Sequence, residues 1–93
     1  MIVEWDEAKS VRCTRERGFS FADAARAFAD PDGVVESDDR FDYGENRFRL
    51  LGRIESRLFV VVYTTRGETI RIISAQKANI REQQRHDPRS PRR

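Results

Sequence analysis

The side chains with the most chemical potential are arginines, and their spacing is systematic. Arg47 and Arg49 alternate with Phe48 and Leu50, Arg71 stands between Ile70 and Ile72, and Arg66 precedes Gly67. A guanidinium presents a planar fork of donors that matches phosphate or carboxylate. Lys77, Arg81 and Arg85 recur at four-residue spacing, which gives one positive stripe on a helix. Arg15 and Arg17 add charge just ahead of Gly18. Trp5, Tyr43 and Tyr63 are the aromatics on which bases could stack. Together these residues suit single-stranded RNA, whose phosphates meet guanidinium groups while its bases stack. The alternative is plainer: a basic stripe is also the ordinary solvated face of a helix, and Trp5 and Tyr63 also fit an apolar core.

The net charge of +2 conceals a split. Residues 1–45 hold 6 Lys/Arg and 12 Asp/Glu, whereas residues 46–93 hold 12 Lys/Arg and 4 Asp/Glu. The halves can pair with each other, or the basic half can face an anionic partner.

Several chemistries lack their residues. His86 is the single histidine, near the tail, and Cys13 the single cysteine, so no Cys/His zinc set or internal disulfide can form, and the serines lack a His-containing pattern. There is no glycine-rich phosphate loop. Glu36, Asp38, Asp39, Asp42 and Glu45 crowd one segment, which reads as a solvated acidic loop. No cofactor is implied. No run of about 18 apolar residues could span a membrane, the start lacks a secretory pattern, and the expectation is a reduced, cytoplasmic chain. Cleavage of RNA remains open, because RNA carries its own nucleophile in the 2′-hydroxyl. An enzyme then aligns it, stabilises the phosphorane-like charge and moves protons, with no metal required.

The elements that position these residues follow from period and punctuation. Ninety-three residues make one domain. Ile2 to Trp5 reads as a strand, and Asp6 caps a helix to Arg17 with Ala8 and Val11 turned inward. Gly18 stops it. Ser20 and Asp23 form a capping-box pattern opening a second helix, with Phe21, Ala24, Ala25 and Phe28 as its apolar stripe. Asp30-Pro31-Asp32-Gly33 is a turn. Strands are expected over 33–37, 47–50, 57–65 and 69–75, with a hairpin turn at Arg66-Gly67. In the last strand, Ile70 and Ile72 face one side and Arg71 and Ile73 the other. A third helix is expected from Lys77 to about His86, making residues 1–86 the domain and 87–93 a disordered tail. The order β-α-α-β-β-β-β-α places two helices on one face of an antiparallel meander and leaves the other face partly open, with Arg47, Arg49 and Arg71 on it beside the Lys77 helix.

One ordered series of motifs is more specific. Val3-Glu4-Trp5-Asp6, Gly18-x-Ser20-Phe21-x-x-Ala24, Asp30-Pro31, Gly44-Glu45-x-Arg47, Val61-Val62-Tyr63-Thr64-x-Arg66-Gly67 and Ile70-Arg71-Ile72-Ile73-Ser74-Ala75, followed by Lys77-Ala78 and Arg81-Glu82, resemble the BrnT toxins over residues 2–86. The resemblance implies an α+β, RelE-like fold: two N-terminal helices on an antiparallel sheet of about four strands, with a C-terminal helix. It implies an endoribonuclease toxin of a type II toxin–antitoxin pair that cleaves RNA and inhibits growth. A BrnA-like antitoxin would neutralise it in a hetero-oligomer and would alone contact operator DNA. Arg17, Arg66, Arg71 and Lys77 are then the expected catalytic residues, and Trp5, Arg15, Arg47, Arg49, Arg81 and His86 the expected RNA-binding ones. BrnT relatives carry Lys-His-Gly at the end of the first helix, where this chain has Glu16-Arg17-Gly18. An arginine stays protonated at neutral pH and cannot act as the general base that a histidine supplies. The other reading is therefore a catalytically weakened toxin-fold protein that acts through antitoxin binding and operon autoregulation.

Overall fold

Asp6 ends the first strand and begins the first helix. Its carboxylate accepts from the Lys9 N–H at 3.2 Å, which satisfies one of the orphan donors of the helix start. The computed structural model describes residues 1–40 and 42–86, and the expected tail at 87–93 lies outside them. Strand β1 is Ile2–Trp5 and helix α1 is Glu7–Arg17. Gly18 closes α1 at φ 87°, a left-handed value that glycine reaches without strain. The Ser20–Asp23 capping box opens α2, Phe21–Ala24, which tightens directly into a 3-10 helix over Ala25–Ala29. Four strands follow: β2 Val34–Ser37, β3 Phe48–Ile54, β4 Arg57–Arg66 and β5 Thr69–Lys77. Helix α3 is Ile80–His86.

The sheet has five strands in the order β1-β5-β4-β3-β2 and is mixed, which corrects the expected antiparallel sheet of about four. β2 to β5 form the antiparallel meander, while β1 lies parallel to β5, with Glu4 opposite Arg71. A parallel neighbour requires a crossover, and everything between β1 and β5 supplies it. Register separates the two faces. Phe48, Leu50, Phe59, Val61, Tyr63, Ile72 and Ala75 join Cys13, Phe19, Phe21, Ala24 and Ala27 in the main core under the helices. Phe19 meets Phe59 edge-on at 5.0 Å, and Phe28 meets Tyr63 at 5.1 Å. Tyr63 is thus a core residue. Gly52 permits the closest approach: a Cβ there would stand 2.6 Å from the Ala27 carbonyl oxygen.

Three further expectations are corrected. Ala8 and Val11 point outward, with Val11 54% exposed, while Ser10 and Cys13 are the buried residues of α1. The Ser10 hydroxyl accepts from the Phe21 N–H at 2.9 Å, so the helix is rotated to place small polar groups against the α1–α2 corner. Lys77 ends β5 rather than opening a helix. The Ala78 N–H continues the pairing onto the Leu58 carbonyl at 3.0 Å, and only then does Asn79 cap α3 by reciprocal bonds with Glu82, both at 2.8 Å. Lys77 therefore does not share a helical stripe with Arg81 and Arg85. Finally, the β4–β5 register shifts between Val62 and Tyr63, which pair with Ser74 and Ile72. Ile73 is the extra residue, and a bulge of this kind re-aims a side chain. It turns toward α1 instead of sharing a face with Arg71.

The second face is not bare. Leu51, Leu58, Val60 and Ala78 form a smaller buried cluster there, and α3 folds back over it. No helix among the described residues is long and apolar enough to cross a membrane.

Candidate functional site

On the face opposite α1 and α2, the arginines expected to bind RNA already hold carboxylates. Arg49 donates to Glu82 at 2.6 Å and to Glu36 at 3.4 Å. Arg71 donates to Glu4 at 2.7 Å across the β5–β1 pair. Arg47, just ahead of β3, stacks over Tyr43 at 3.8 Å and pairs with Glu45 at 3.3 Å. Arg66 stands at the hairpin tip, 64% exposed, with the same Glu45 at 3.9 Å. Acidic side chains, most of them from the front half, thus neutralise these sheet arginines on this face. Trp5 packs its ring against the main core and donates its indole N–H to Glu7 at 3.3 Å. Arg81 is exposed on α3, and His86 ends that helix.

The four residues expected to act together are spread over two faces and two ends. Arg66 pairs with Thr69 at one end of the β4–β5 hairpin, and Lys77 pairs with Phe59 at the other. Eight residue steps of β5 separate Thr69 from Lys77, or about 26 Å at the usual strand rise. Arg71 projects from the second face. Arg17 and Lys77, by contrast, share one end and the helix face. The Arg17 guanidinium donates to the Ala75 carbonyl at 2.8 Å, and Lys77 follows Ala75 by two residues on the same face.

A cleft of about 190 Å³ lies on this face between α1 and the middle of β5. Helix α1 contributes Lys9, Arg12, Cys13, Glu16 and Arg17, and Phe21, Ile73 and Ser74 close it. Lys9, Arg12 and Glu16 recur at three- and four-residue spacing, so they project from one side of the helix. The bulged Ile73 and the adjacent Ser74 meet them from the sheet. Cys13 sits at the base, where its thiol donates weakly to the Ala75 carbonyl at 3.8 Å. Burial pushes the Cys13 thiol up, and the nearby Arg17 only partly offsets this. It is therefore a poor nucleophile.

The charges of this cleft differ from those on the other face. Among the described residues, Lys9 and Arg12 have no ion-pair partner, nor do Arg15 on the last turn of α1 and Lys77. Arg17 is held by a neutral carbonyl rather than a carboxylate. Sequence reasoning placed Arg17 and Lys77 in the site but missed Lys9, Arg12, Glu16 and Ser74. The available signal was the helical spacing of Lys9, Arg12 and Glu16, which the inward assignment of Ala8 and Val11 obscured. Among the described residues no group of three or more His, Cys, Asp or Glu side chains is arranged to hold a metal ion.

The cleft can hold an anion with several cations and offers the Glu16 carboxylate oxygens beside them. A comparison with curated proteins gives no significant match. The family model described as "Ribonuclease toxin, BrnT, of type II toxin-antitoxin system" matches residues 5–82, a span that includes the whole of α1, the hairpin and the Arg49–Glu82 pair. The chain therefore belongs to the BrnT family of type II ribonuclease toxins.

Proposed function

We propose that this protein is a metal-independent endoribonuclease toxin that binds the scissile phosphate of RNA in the α1–β5 cleft. The observation that carries this reading is the uneven neutralisation of its cations. Arg47, Arg49, Arg66 and Arg71 each have a carboxylate, whereas Lys9, Arg12 and Arg17 line one cleft without one among the described residues, and Lys77 follows on the same sheet face. A phosphate is drawn to positive charge that is not already compensated. Lys9 and Arg12 hold the phosphate oxygens in this reading, and Arg17 and Lys77 supply positive potential for the phosphorane. The chemistry is attack by the RNA 2′-hydroxyl on its own phosphate. Arg66 and Arg71 then lie along the flanking strand rather than at the reacting bond.

A BrnA-like antitoxin is the proposed protein partner, in a hetero-oligomer whose contact with operator DNA runs through the antitoxin, in the cytoplasm. Induced expression without the antitoxin should arrest growth and fragment RNA, and purified protein should cut RNA in excess EDTA. Normal growth with intact RNA at full expression would sink the proposal.

One observation favours a second reading. The intramolecular pairing of the second-face arginines suits a catalytically weakened toxin-fold protein that acts mainly through antitoxin binding and autoregulation. It predicts a tight antitoxin complex together with no RNA cleavage by the free protein.

A further inference from the structure

The cleft contains one carboxylate, Glu16, and among the described residues it has no hydrogen-bond or ion-pair partner. Glu4, Glu36, Glu45 and Glu82 each carry an arginine. Glu16 lies one turn beyond Arg12 on the same side of α1, over the strand position of Ser74. Attack by a 2′-hydroxyl needs an acceptor for its proton. Lys9, Arg12 and Arg17 have donors and no acceptor lone pair. The Cys13 thiol is buried at the base of the cleft, and His86 ends α3, which packs on the opposite face of the sheet. Glu16 is the cleft group that combines free acceptor oxygens with a place beside the unpaired cations.

We propose that Glu16 is the proton acceptor for RNA cleavage, taking the 2′-hydroxyl proton while Lys9 and Arg12 hold the scissile phosphate. This rests on the reading of the cleft as the ribonuclease site. The 2′-oxygen gives its proton to a Glu16 carboxylate oxygen and forms a bond to phosphorus. The bond from phosphorus to the 5′-oxygen breaks, and the leaving 5′-oxygen takes a proton from solvent water. The products are a 2′,3′-cyclic phosphate and a 5′-hydroxyl, and Glu16 returns its proton to solvent. No oxidant, reductant or second substrate is consumed. Glu16 thus supplies the proton-accepting role that Arg17, one residue on, cannot fill.

The test compares wild type, Glu16→Gln and Glu16→Asp on a defined single-stranded oligoribonucleotide in EDTA. Binding is measured separately on its non-cleavable 2′-O-methyl analogue. Glu16 is exposed on α1, and far-UV circular dichroism checks that each variant is folded. The expected result for Glu16→Gln is a kcat lower by about 100-fold or more, KM within about threefold and undiminished binding of the analogue. Glu16→Asp, which keeps the carboxylate with a shorter reach, should recover part of that loss. Wild-type cleavage rates in Glu16→Gln would overturn the assignment and leave the ribonuclease reading standing. A raised KM with unchanged kcat would also overturn it, by making Glu16 a binding residue only. Absence of cleavage in all three proteins would remove both the assignment and the reading beneath it.

Discussion

The Arg49 guanidinium and the Glu82 carboxylate meet at 2.6 Å across 33 residues of sequence, joining the centre of the sheet to α3. The other Glu82 oxygen accepts from the Asn79 N–H at 2.8 Å, so one side chain both caps α3 and anchors it. The Glu82 side chain is only 10% exposed, so its removal leaves Arg49 and the helix start short of a partner. Glu82→Ala should cost about 2–3 kcal/mol. Urea denaturation of Glu82→Ala, Arg49→Ala and the double variant should give a combined loss smaller than the sum of the single losses. Additive losses would show that the pair does not act as a unit.

The uneven neutralisation of cations predicts an ordering of variants. Arg12→Ala should lower RNA cleavage by about tenfold or more, as expected for loss of one charged donor at a reacting phosphate. Arg71→Ala should change it by less than about threefold, because Arg71 is occupied by Glu4. Initial rates on one oligoribonucleotide at fixed salt would decide. The reverse ordering would move the reacting phosphate to the second face.

Gly52 makes a prediction about packing alone. A methyl group there would be driven against the Ala27 carbonyl, which belongs to backbone and cannot rotate away. Gly52→Ala should therefore destabilise the fold by about 1–3 kcal/mol, read as a lower urea midpoint with an unchanged slope. An unchanged midpoint would mean that the 3-10 segment yields freely.

Acid stability should depend on Asp30. Its carboxylate accepts from the Arg53 N–H at 2.7 Å and the Asp32 N–H at 2.9 Å, and these bonds hold the carboxyl below the usual range. The folded pKa is depressed, so the stabilisation is present above the unfolded value of about 3.9 and is lost as pH falls through the folded value. Asp30→Ala should be less stable than wild type at neutral pH, and the gap should narrow once the pH drops below that range. Chemical denaturation at several pH values reads both. A gap independent of pH would refute the assignment.

Features set by neighbours in sequence were legible before the fold was known. Asp6, Gly18 and the Ser20–Asp23 pair act within a single helical turn, and the alternation at the start of β3 and in β5 is local as well. Features set across the chain were not. The place of β1 beside β5, the extra residue at Ile73 and the rotation of α1 toward Ser10 depend on contacts between distant segments. The arginines illustrate the difference. Their number and alternation were visible, yet the partners that silence them lie 33 and 67 residues away for Arg49 and Arg71. The cleft was hidden for the same reason, since one side of it comes from α1 and the other from β5.

The second-face arginines have a consequence for ionic strength. Each already has a counterion fixed to the same chain, so RNA laid along them releases no mobile ions. The cleft cations, solvated when empty, do release ions when a phosphate replaces the salt around them. With about three such cations, the logarithm of single-stranded RNA affinity should fall with the logarithm of salt concentration at a slope near −2. The chain's eighteen basic residues would suggest a far steeper dependence. Salt titration of RNA binding therefore counts the cleft cations that a phosphate reaches, not the basic residues of the whole chain.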